Sequence, residues 1–351
     1  MAPPREAEPF VSVVITVYNA ERYLARCLEA LLVLDYPKDK YEVVVVDARS
    51  KDRTQDILRD FAARAAGKPE IRLFEKPGSI GTGRNEGVKH ARGAFVAVTD
   101  GDLSASPRWL HELLKGFGLA ERLGAVGGPN NTATQDLASK SVACIPVHGP
   151  TLDEVPLLGP NRYTQPFVSE SDWYTNVTRN SMYRREALLQ VGAFAEELIS
   201  TEDPELNERL HRAGWKTAYT PAAVVYHFHR STLGAFYRQQ RHYAYGHADT
   251  TVKRPYMRRP KQFLPAAALA TAVLLALLGF ALPVAWAALG LGLLAAALGL
   301  LSYGAKCARQ HRDVRLLLSA PVFFLAWQLA WAIHYPRRLL QLGRETLLTT
   351  H

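Results

Sequence analysis

The sequence predicts an α/β protein, with a mainly parallel sheet domain followed by C-terminal transmembrane helices. Three observations support this prediction. Strand-like and helix-like segments alternate from residue 10 to residue 100, several apolar runs end close to an acidic residue, and long uncharged apolar stretches follow residue 262. Alternating strands and helices are typical of an open parallel sheet. Uncharged stretches of about 20 residues are long enough to cross a bilayer.

The first hundred residues contain four predicted strands with helices between them. The strands are Phe10–Val17, Tyr41–Val46, Ile71–Phe74 and Ala94–Thr99, and the helices are Ala20–Leu34, Thr54–Ala66 and Gly81–His90. A continuous apolar run such as the four valines at 43–46 is typical of a parallel strand buried on both faces. Ligands bind beyond the carboxyl ends of such strands, which is where Tyr18, Asp47 and Asp100 fall.

The pattern becomes less regular after residue 128. Residues 129–180 are rich in Pro, Asn and Thr, and irregular acceptor-side structure is predicted there. A helix over Pro204–Ala213 and a strand over Ala222–Phe228 follow.

Three apolar stretches lie in the C-terminal third, at Phe263–Ala281, Pro283–Tyr303 and Leu316–Tyr335. The first two are free of charge and predict membrane spans; buried core helices are the alternative. The third has Trp327, Trp331 and Tyr335 toward one end, like an interfacial aromatic belt.

The third stretch conflicts with the positive-inside rule. If the catalytic domain is cytoplasmic, a third crossing places Arg337, Arg338 and Arg344 outside. Three arrangements therefore stay open: a span that breaks the rule, a re-entrant segment, or a segment that lies in the interface.

The charge is distributed unevenly. The whole chain is +9, residues 230–262 are +7 and residues 304–351 are +5, which leaves −3 for residues 1–229. Basic charge beside apolar runs suits anionic lipid headgroups, and nucleic acid is not expected as a partner. Residues 231–262 mix aromatic and basic side chains as an interfacial amphipathic segment does, with a solvated linker as the alternative.

Cysteine usage and the first residues bear on the compartment. The three cysteines are far apart and odd in number, so neither a disulfide framework nor a zinc site is expected. The first ten residues lack an apolar core, so no secretory signal is expected there. A reduced, cytoplasmic setting is predicted for the sheet domain.

Asp100-Gly101-Asp102 is a DxD motif directly after a predicted buried strand. Two carboxylates one residue apart can reach a ribose and a hard cation together. Such a cation neutralises the diphosphate of a nucleotide sugar as the sugar bond breaks. Alone the motif is weak evidence, because an ordinary turn after a strand is the alternative.

Two further acidic sites strengthen this interpretation. Asp47 ends the second strand at the same sheet edge, and Glu202-Asp203 begins a helix. Asp203 can act as a general base toward an acceptor hydroxyl. The alternative is helix capping by Thr201 or Asp203.

The order of these motifs resembles glycosyltransferase family 2, which implies a GT-A (Rossmann-like) fold. The matching segments, within residues 10 to about 250, are VSVVITVYNAERYLARCLEALL, YEVVVVDARSKDRT, GTGRNEGVKHARGAFVAVTDGD and STEDPELNERLHRAGWKTAYTP. The predicted domains are a catalytic domain at 1–230, the interfacial segment at 231–262 and a membrane domain at 263–351. The tail RSTLGAFYRQQRHYAYG is most similar to membrane-bound exopolysaccharide glucosyltransferases of the succinoglycan type.

The resemblance implies a role for individual residues. Thr16 and Tyr18 would line the base pocket, with Tyr18 stacked on the base, and Asp47 and Arg84 would contact the nucleobase. Asp100 would contact the ribose or the metal, Asp102 would bind Mg²⁺ or Mn²⁺, and Asp203 would be the base of an inverting single displacement. Arg241 would contact the diphosphate, and Glu202 and Arg238 would lie on the acceptor side or behind the site. Apart from the resemblance, His227 and His229 share one face of a predicted strand, where they would complete the metal shell or hold a phosphate, or else simply pack beside the site.

Two positions depart from the family pattern. Ala48 stands where many members have a second Asp. Arg238-Gln239-Gln240-Arg241-His242 is the closest match to the QxxRW motif of processive synthases, and it lacks the tryptophan. Its absence favours the addition of single sugars.

Three functions follow as hypotheses. The first is hexose transfer from a UDP-sugar to a lipid-linked (polyprenyl diphosphate) saccharide at the cytoplasmic face of a bacterial inner membrane. The second is transfer to a polyprenyl monophosphate, as enzymes of the dolichyl-phosphate-mannose type perform. The third is a non-catalytic membrane scaffold.

Overall fold

The α/β prediction is confirmed by a computed structural model, which describes residues 8–65, 69–134, 136–145, 162–170, 178–229 and 232–349. Within the predicted acceptor-side region at 129–180, residues 135, 146–161 and 171–177 lie outside these ranges, as do residues 1–7 and 230–231 at the edges of the predicted domains. The strands are β1 (Val11–Val17), β2 (Tyr41–Asp47), β3 (Glu70–Glu75), β4 (Phe95–Asp100), β5 (Leu103–Ala105), β6 (Leu123–Gly127), β7 (Asn130–Thr132), β8 (Phe167–Ser169), β9 (Asn180–Arg184), β10 (Lys216–Tyr219) and β11 (Val225–His227).

Eight of these strands form one mixed, mainly parallel sheet in the order β3-β2-β1-β4-β9-β6-β10-β8. Neighbours from β3 to β4 are parallel, β9 is antiparallel to both β4 and β6, and β8 is antiparallel to β10. A second sheet has the order β5-β11-β7. It brings residues just after β4 next to the end of β11.

The helices surround the large sheet and then leave it. They are α1 (Leu24–Leu32), α2 (Thr54–Arg64), α3 (Ile80–His90), α4 (Trp109–Gly116), α5 (Leu137–Ala143), α6 (Arg185–Gln190), α7 (Glu202–Arg212), α8 (Leu233–Lys253), α9 (Leu264–Leu278), α10 (Pro283–His311) and α11 (Leu316–Thr349). The predicted segment at 231–262 is thus mostly one helix, α8, whose buried residues include Phe236, Ala244 and Ala248.

The valine run of β2 explains why the sheet is covered on both faces. Every residue of β2 is buried; Val43 and Val45 pack in the cluster that includes α1 and α4, and Val44 packs in the cluster on the opposite face. Burying each such side chain contributes about 1.5 kcal/mol or more. The core therefore fixes the position of the strand ends, where polar residues follow.

Three helices of the described chain are long and apolar enough to cross a membrane: Pro260–Leu278, Pro283–His311 and Leu316–Glu345. The predicted aromatic belt on the third is wrong for Tyr335, which is fully buried, while Trp331 is half-buried and stacks on it 6.0 Å away. Trp327, Trp331 and Tyr335 follow at intervals of four residues, so they share one helix face, and that face packs against protein. The domain boundaries at residues 230 and 262 stay a prediction.

Candidate active site

The carboxyl ends of β1, β2 and β4 border a cavity of about 670 Å³. This volume is typical of a small-molecule site. The polar residues that line it include Thr16, Tyr18, Arg84, Asp100, Arg179, Glu202, Asp203, His242, Tyr243 and His247. The predicted strand ends, the start of α7 and one face of α8 therefore meet at a single site.

Helix α3 brings Arg84 into this site. Ser79 caps the helix through a bond from the Thr82 backbone N–H, and Gly87 lies against β1. An added Cβ at Gly87 would lie 2.3 Å from Val14 Cγ1, so the absence of a side chain lets the helix and strand pack closely. Close packing points Arg84 at the end of the sheet.

Arg84 joins the DxD motif to the start of α7. It is 3% exposed; its Nη2 donates to Asp100 Oδ1 at 3.1 Å, and its Nη1 forms an ion pair with Glu202. Burial opposes the charge, but Asp100 and Glu202 raise the pKa of Arg84 above its ordinary value. The nucleobase contact that the resemblance implies for Arg84 stays a prediction.

Asp203 faces the cavity from the first turn of α7. Burial raises the pKa of its carboxyl to about 7, the Glu202 carboxylate adds to the rise, and Arg84 and Arg179 oppose it. Thr201, the residue before the helix, has φ +77° and makes no side-chain capping bond; its hydroxyl pairs with Thr250 instead. A carboxylate of this kind can accept a proton near neutral pH.

Asp102 lies beside the second sheet, where β11 pairs with β5. Its Oδ2 is 3.4 Å from His227 Nε2, and the ring of His229 is 4.4 Å from that of His227. Within the described ranges, no group of three or more His, Cys, Asp or Glu side chains is arranged to hold a metal ion. Asp102 and His227 are nevertheless close to the separation of about 3 Å between adjacent ligands of one octahedral cation.

The residues expected at the nucleotide differ in their exposure and in the hydrogen bonds that they already make. Tyr18 is 59% exposed at the cavity and can offer its ring to a base. Asp47 is 4% exposed; its carboxylate accepts from the Ser50 backbone and hydroxyl and from Gln55 Nε2. Asp47 therefore shapes the loop after β2, and its neighbour Ala48 lines the cavity in its place.

Helix α8 contributes residues that the sequence did not single out. Arg238 and Arg241 are exposed and do not line the cavity, whereas His242, Tyr243 and His247 do. His242 stands at the position of the missing tryptophan. Burial, with a smaller contribution from Lys261, lowers the pKa of His247 to about 4, so its ring is neutral. Tyr243 and His247 are four residues apart and lie on one helix face. Had a helix been predicted at 231–262, this spacing would have indicated that they point the same way.

Two family models match this chain. The model of glycosyl transferase family 2 matches residues 12–192, slightly more than half of the chain, and that of glycosyl transferase family group 2 matches residues 166–335. The glycosyltransferase AglE of Haloferax volcanii is 31% identical over 221 residues, which cover 62% of this chain and 67% of AglE.

Two further proteins are similar. A Methanococcus voltae protein is 24% identical over 237 residues, covering 66% of this chain and 70% of its own; its name is dolichyl N-acetyl-alpha-D-glucosaminyl phosphate 3-beta-D-2,3-diacetamido-2,3-dideoxy-beta-D-glucuronosyltransferase. Among solved structures, the mannosyltransferase PcManGT of Pyrobaculum calidifontis, in complex with GDP-Man and Mn²⁺, superposes with a TM-score of 0.56 at 22% identity. The superposition covers 94% of this chain and 87% of PcManGT, which shows a shared fold.

Proposed function

This chain belongs to glycosyltransferase family 2, and we propose that it transfers a hexose from a nucleotide sugar, preferably a UDP-sugar, to a lipid-linked saccharide. The sheet domain has the GT-A fold of that family. The proposed reaction is a single displacement with inversion at the anomeric carbon. The proposed setting is the cytoplasmic face of a bacterial inner membrane, in the synthesis of a polysaccharide or glycan of the exopolysaccharide kind.

One observation carries this proposal: Asp203 faces the same cavity as the nucleotide-side residues, and Arg84 links the two sides through Asp100 and Glu202. In the proposed step, Asp203 takes the proton from an acceptor hydroxyl while that oxygen attacks the anomeric carbon. The bond from this carbon to the diphosphate breaks, and the nucleoside diphosphate leaves on the opposite side. A pKa of about 7 suits a base that must be ionised before the reaction and protonated after it.

The donor would occupy the sheet side of the cavity. Tyr18 would stack on the base, with Thr16 beneath it, and Asp100 would meet the ribose. Asp47 supports the loop that forms this pocket, through Ser50 and Gln55. GDP-Man in the structure of PcManGT makes GDP-sugars the second donor class to test.

A divalent cation, Mg²⁺ or Mn²⁺, fits the residues at the end of β4. Asp102 would hold it together with His227, and the diphosphate of the donor would supply further oxygen ligands, because carboxylate and phosphate oxygens suit these hard ions. When bound, the ion would neutralise the charge on the diphosphate leaving group. Arg241 is exposed on α8 and does not line the cavity, so its contact with the diphosphate stays a prediction.

The acceptor is proposed to come from the membrane. Three apolar helices follow the catalytic unit, by which we mean the two sheets with helices α1 to α8, and α8 lines the cavity immediately before them in sequence. The name of the Methanococcus voltae relative describes transfer to a dolichyl-linked sugar phosphate, which supports an acceptor of this class. The absence of the acceptor-stacking tryptophan favours the addition of one sugar at a time.

A polyprenyl monophosphate acceptor is the second candidate. Arg179 lines the cavity and lowers the pKa of Asp203, so a positive charge beside the base would attract an acceptor phosphate. A phosphate is already ionised and needs no base. An Asp203→Asn variant that kept most of its rate would favour this candidate.

The test is a transfer assay with the full chain in lipid nanodiscs. UDP- and GDP-sugars are offered with Mn²⁺ or Mg²⁺ to a polyprenyl-diphosphate saccharide or to a polyprenyl monophosphate, and products are identified by mass and anomeric configuration. We expect one donor class to give an inverted glycoside on the saccharide. No turnover with any donor would reject the proposal.

A further inference from the structure

The third apolar helix, α11, differs from the other two in how it meets the protein. Of its most apolar 18 residues 33% are buried, against 0% and 6% for the stretches that contain α9 and α10. Part of its buried face packs on α5 and α8 of the catalytic unit, and part packs on α10, where the ring of Tyr303 lies 5.5 Å from that of Phe324. Its length and composition are compatible with crossing a membrane, so the evidence for or against a crossing must come from its contacts.

Both ends of α11 contact the catalytic unit. Near its start, Ser319 accepts a 2.9 Å bond from Ser141 of α5. Near its other end, Arg338 donates a 2.7 Å bond to Asp249 of α8. These two positions are about 28 Å apart along the helix, nearly the thickness of the hydrocarbon core of a bilayer. A crossing helix would leave one of these contacts on the wrong side of the membrane.

Helix α8 runs beside α11 from Phe323 to Arg338. Phe236, near the start of α8, packs on Phe323 with 5.3 Å between ring centroids, and Asp249 near its end pairs with Arg338. If α11 crossed the bilayer, α8 would cross with it. Helix α8 exposes Arg238 and Arg241, which are costly in hydrocarbon.

The bases of the α9–α10 hairpin give independent evidence. In a pair of consecutive spans, the start of the first and the end of the second lie at the same membrane face. Just before α9, Phe263 packs on Tyr335 at 5.2 Å, and toward the end of α10 an added Cβ on Gly304 would lie 2.3 Å from the Leu317 carbonyl oxygen. Leu317 and Tyr335 are about 27 Å apart along α11. The helix therefore passes across the base of the hairpin, whereas a third parallel span would contact both bases at one end.

The outer face of α11 is a continuous apolar stripe. Its residues are 40–68% exposed and follow the helical repeat: Leu318, Val322, Leu325, Leu329, Ile333 and Leu340. Arg337 and Arg344 are also exposed on this helix. An apolar stripe with basic neighbours is typical of a helix that lies in the plane of the interface, above anionic headgroups.

We propose that α11 does not cross the membrane but lies along its cytoplasmic surface, docked on α8 and with its leucine stripe in the acyl chains. The chain then crosses the bilayer twice, through α9 and α10, and its C-terminus lies on the side of the catalytic unit. Arg337, Arg338 and Arg344 stay on that side, as the positive-inside rule prefers.

This arrangement also places the cavity next to lipid. His247 lines the cavity, and its ring lies 4.9 Å from that of Trp331 on the inner face of α11. The wall of the cavity formed by α8 is therefore one helix layer from the membrane surface. An acceptor held in the bilayer can reach the site from this side.

Depth measurement tests the proposal directly. Single cysteines at Leu318, Leu329 and Leu340 are spin-labelled in the full chain in liposomes with anionic lipid, and depth is read from the accessibility to oxygen and to a water-soluble nickel chelate. The native Cys27, Cys144 and Cys307 are buried, and the unsubstituted chain is the labelling control. We expect three equal depths, about 5–10 Å below the headgroups.

The other outcomes overturn the proposal in distinct ways. A label at 329 near the bilayer centre, with 318 and 340 at opposite surfaces, would show a crossing. High accessibility to the nickel chelate at all three would show that water covers the stripe. Dipolar broadening between labels would show that a second copy of the chain covers it.

Sidedness gives a second measurement that does not depend on the stripe. Gly343→Cys at the end of α11, Ala281→Cys at the α9–α10 turn and Lys115→Cys on the exposed face of α4 are treated with a membrane-impermeant maleimide in oriented vesicles. We expect 343 and 115 to react from the same side and 281 from the other. Labelling of 343 together with 281 would overturn the proposal.

Discussion

The guanidinium of Arg84 lies 3.1 Å from the Asp100 carboxylate and also pairs with Glu202, 118 residues away in the sequence. One buried cation thus connects the DxD strand end to the helix that carries Asp203. The two halves of the cavity are held together by this bridge, so its loss should affect both activity and stability.

Replacing Arg84 by Met tests the bridge. It leaves two largely buried carboxylates without their cation, and we expect the free energy of unfolding to fall by about 3–5 kcal/mol and kcat to fall about 100-fold. Thermal unfolding and the transfer rate measure these changes. Arg72→Met is the matched control, because Arg72 pairs with buried Glu42 at the opposite end of β2. It should lose stability and keep kcat; an equal loss of kcat in both variants would contradict the role of Arg84.

Asp102→Asn and His227→Gln test the cation site. Each removes one of two candidate ligands that lie 3.4 Å apart. We expect Mn²⁺ binding in the presence of nucleoside diphosphate, followed by electron paramagnetic resonance, to weaken at least about 10-fold in each. His90→Gln changes a histidine that pairs with Glu86 on α3 and should bind Mn²⁺ normally. Unchanged affinity in both site variants would place the cation elsewhere.

Tyr18→Ala tests the nucleotide side of the cavity. Stacking of a base on an aromatic ring contributes about 1–3 kcal/mol, so the dissociation constant of the nucleoside diphosphate should rise about 5- to 150-fold. Titration calorimetry measures it, and Tyr18→Phe, which keeps the ring, should bind as the unchanged chain does. Normal binding by the alanine variant would show that the base lies elsewhere.

The raised pKa of Asp203 predicts the pH profile. The base must be ionised, so the rate should fall about 10-fold per pH unit below pH 7 and level off above it. Because the raised pKa favours the protonated form in the fold, this group's contribution to stability is complete below about pH 4 and is lost as the pH rises through 7. The Asp203→Asn variant should therefore gain stability over the unchanged chain as the pH rises from 4 to 8. A flat rate profile between pH 5.5 and 8 would count against a base of this kind.

The sequence predicted the architecture of the catalytic unit well because the relevant signals are local. The valine run at 43–46 indicates a strand covered on both faces, and the ends of such strands meet at one edge. That rule alone is enough to place Asp100 at the cavity. Asp47 falls at the same edge, but the bonds from Ser50 and Gln55 that occupy its carboxylate depend on loop conformation.

Contacts between residues that are far apart in the sequence could not be predicted in the same way. The contact of Arg84 with Glu202 exists only because the fold brings α3 and α7 together. His242 was missed because the segment at 231–262 was assigned to the membrane interface, although as a helix it has a face toward the cavity. Trp331 was assigned to an aromatic belt because it lies with Trp327 and Tyr335 toward one end of an apolar stretch, and its ring lies 4.9 Å from that of His247 in the structure.

The central claim is that Asp203 deprotonates a sugar hydroxyl of the acceptor. Single-turnover transfer by Asp203→Asn, with donor affinity measured in parallel, tests it most directly. Glu208→Gln is the control, since Glu208 lies on the same helix, pairs with Arg212 and does not line the cavity. We predict that Asp203→Asn binds the donor normally and transfers about 100- to 10,000-fold more slowly, while Glu208→Gln keeps its rate. Transfer to a saccharide hydroxyl at an undiminished rate by Asp203→Asn would contradict the account.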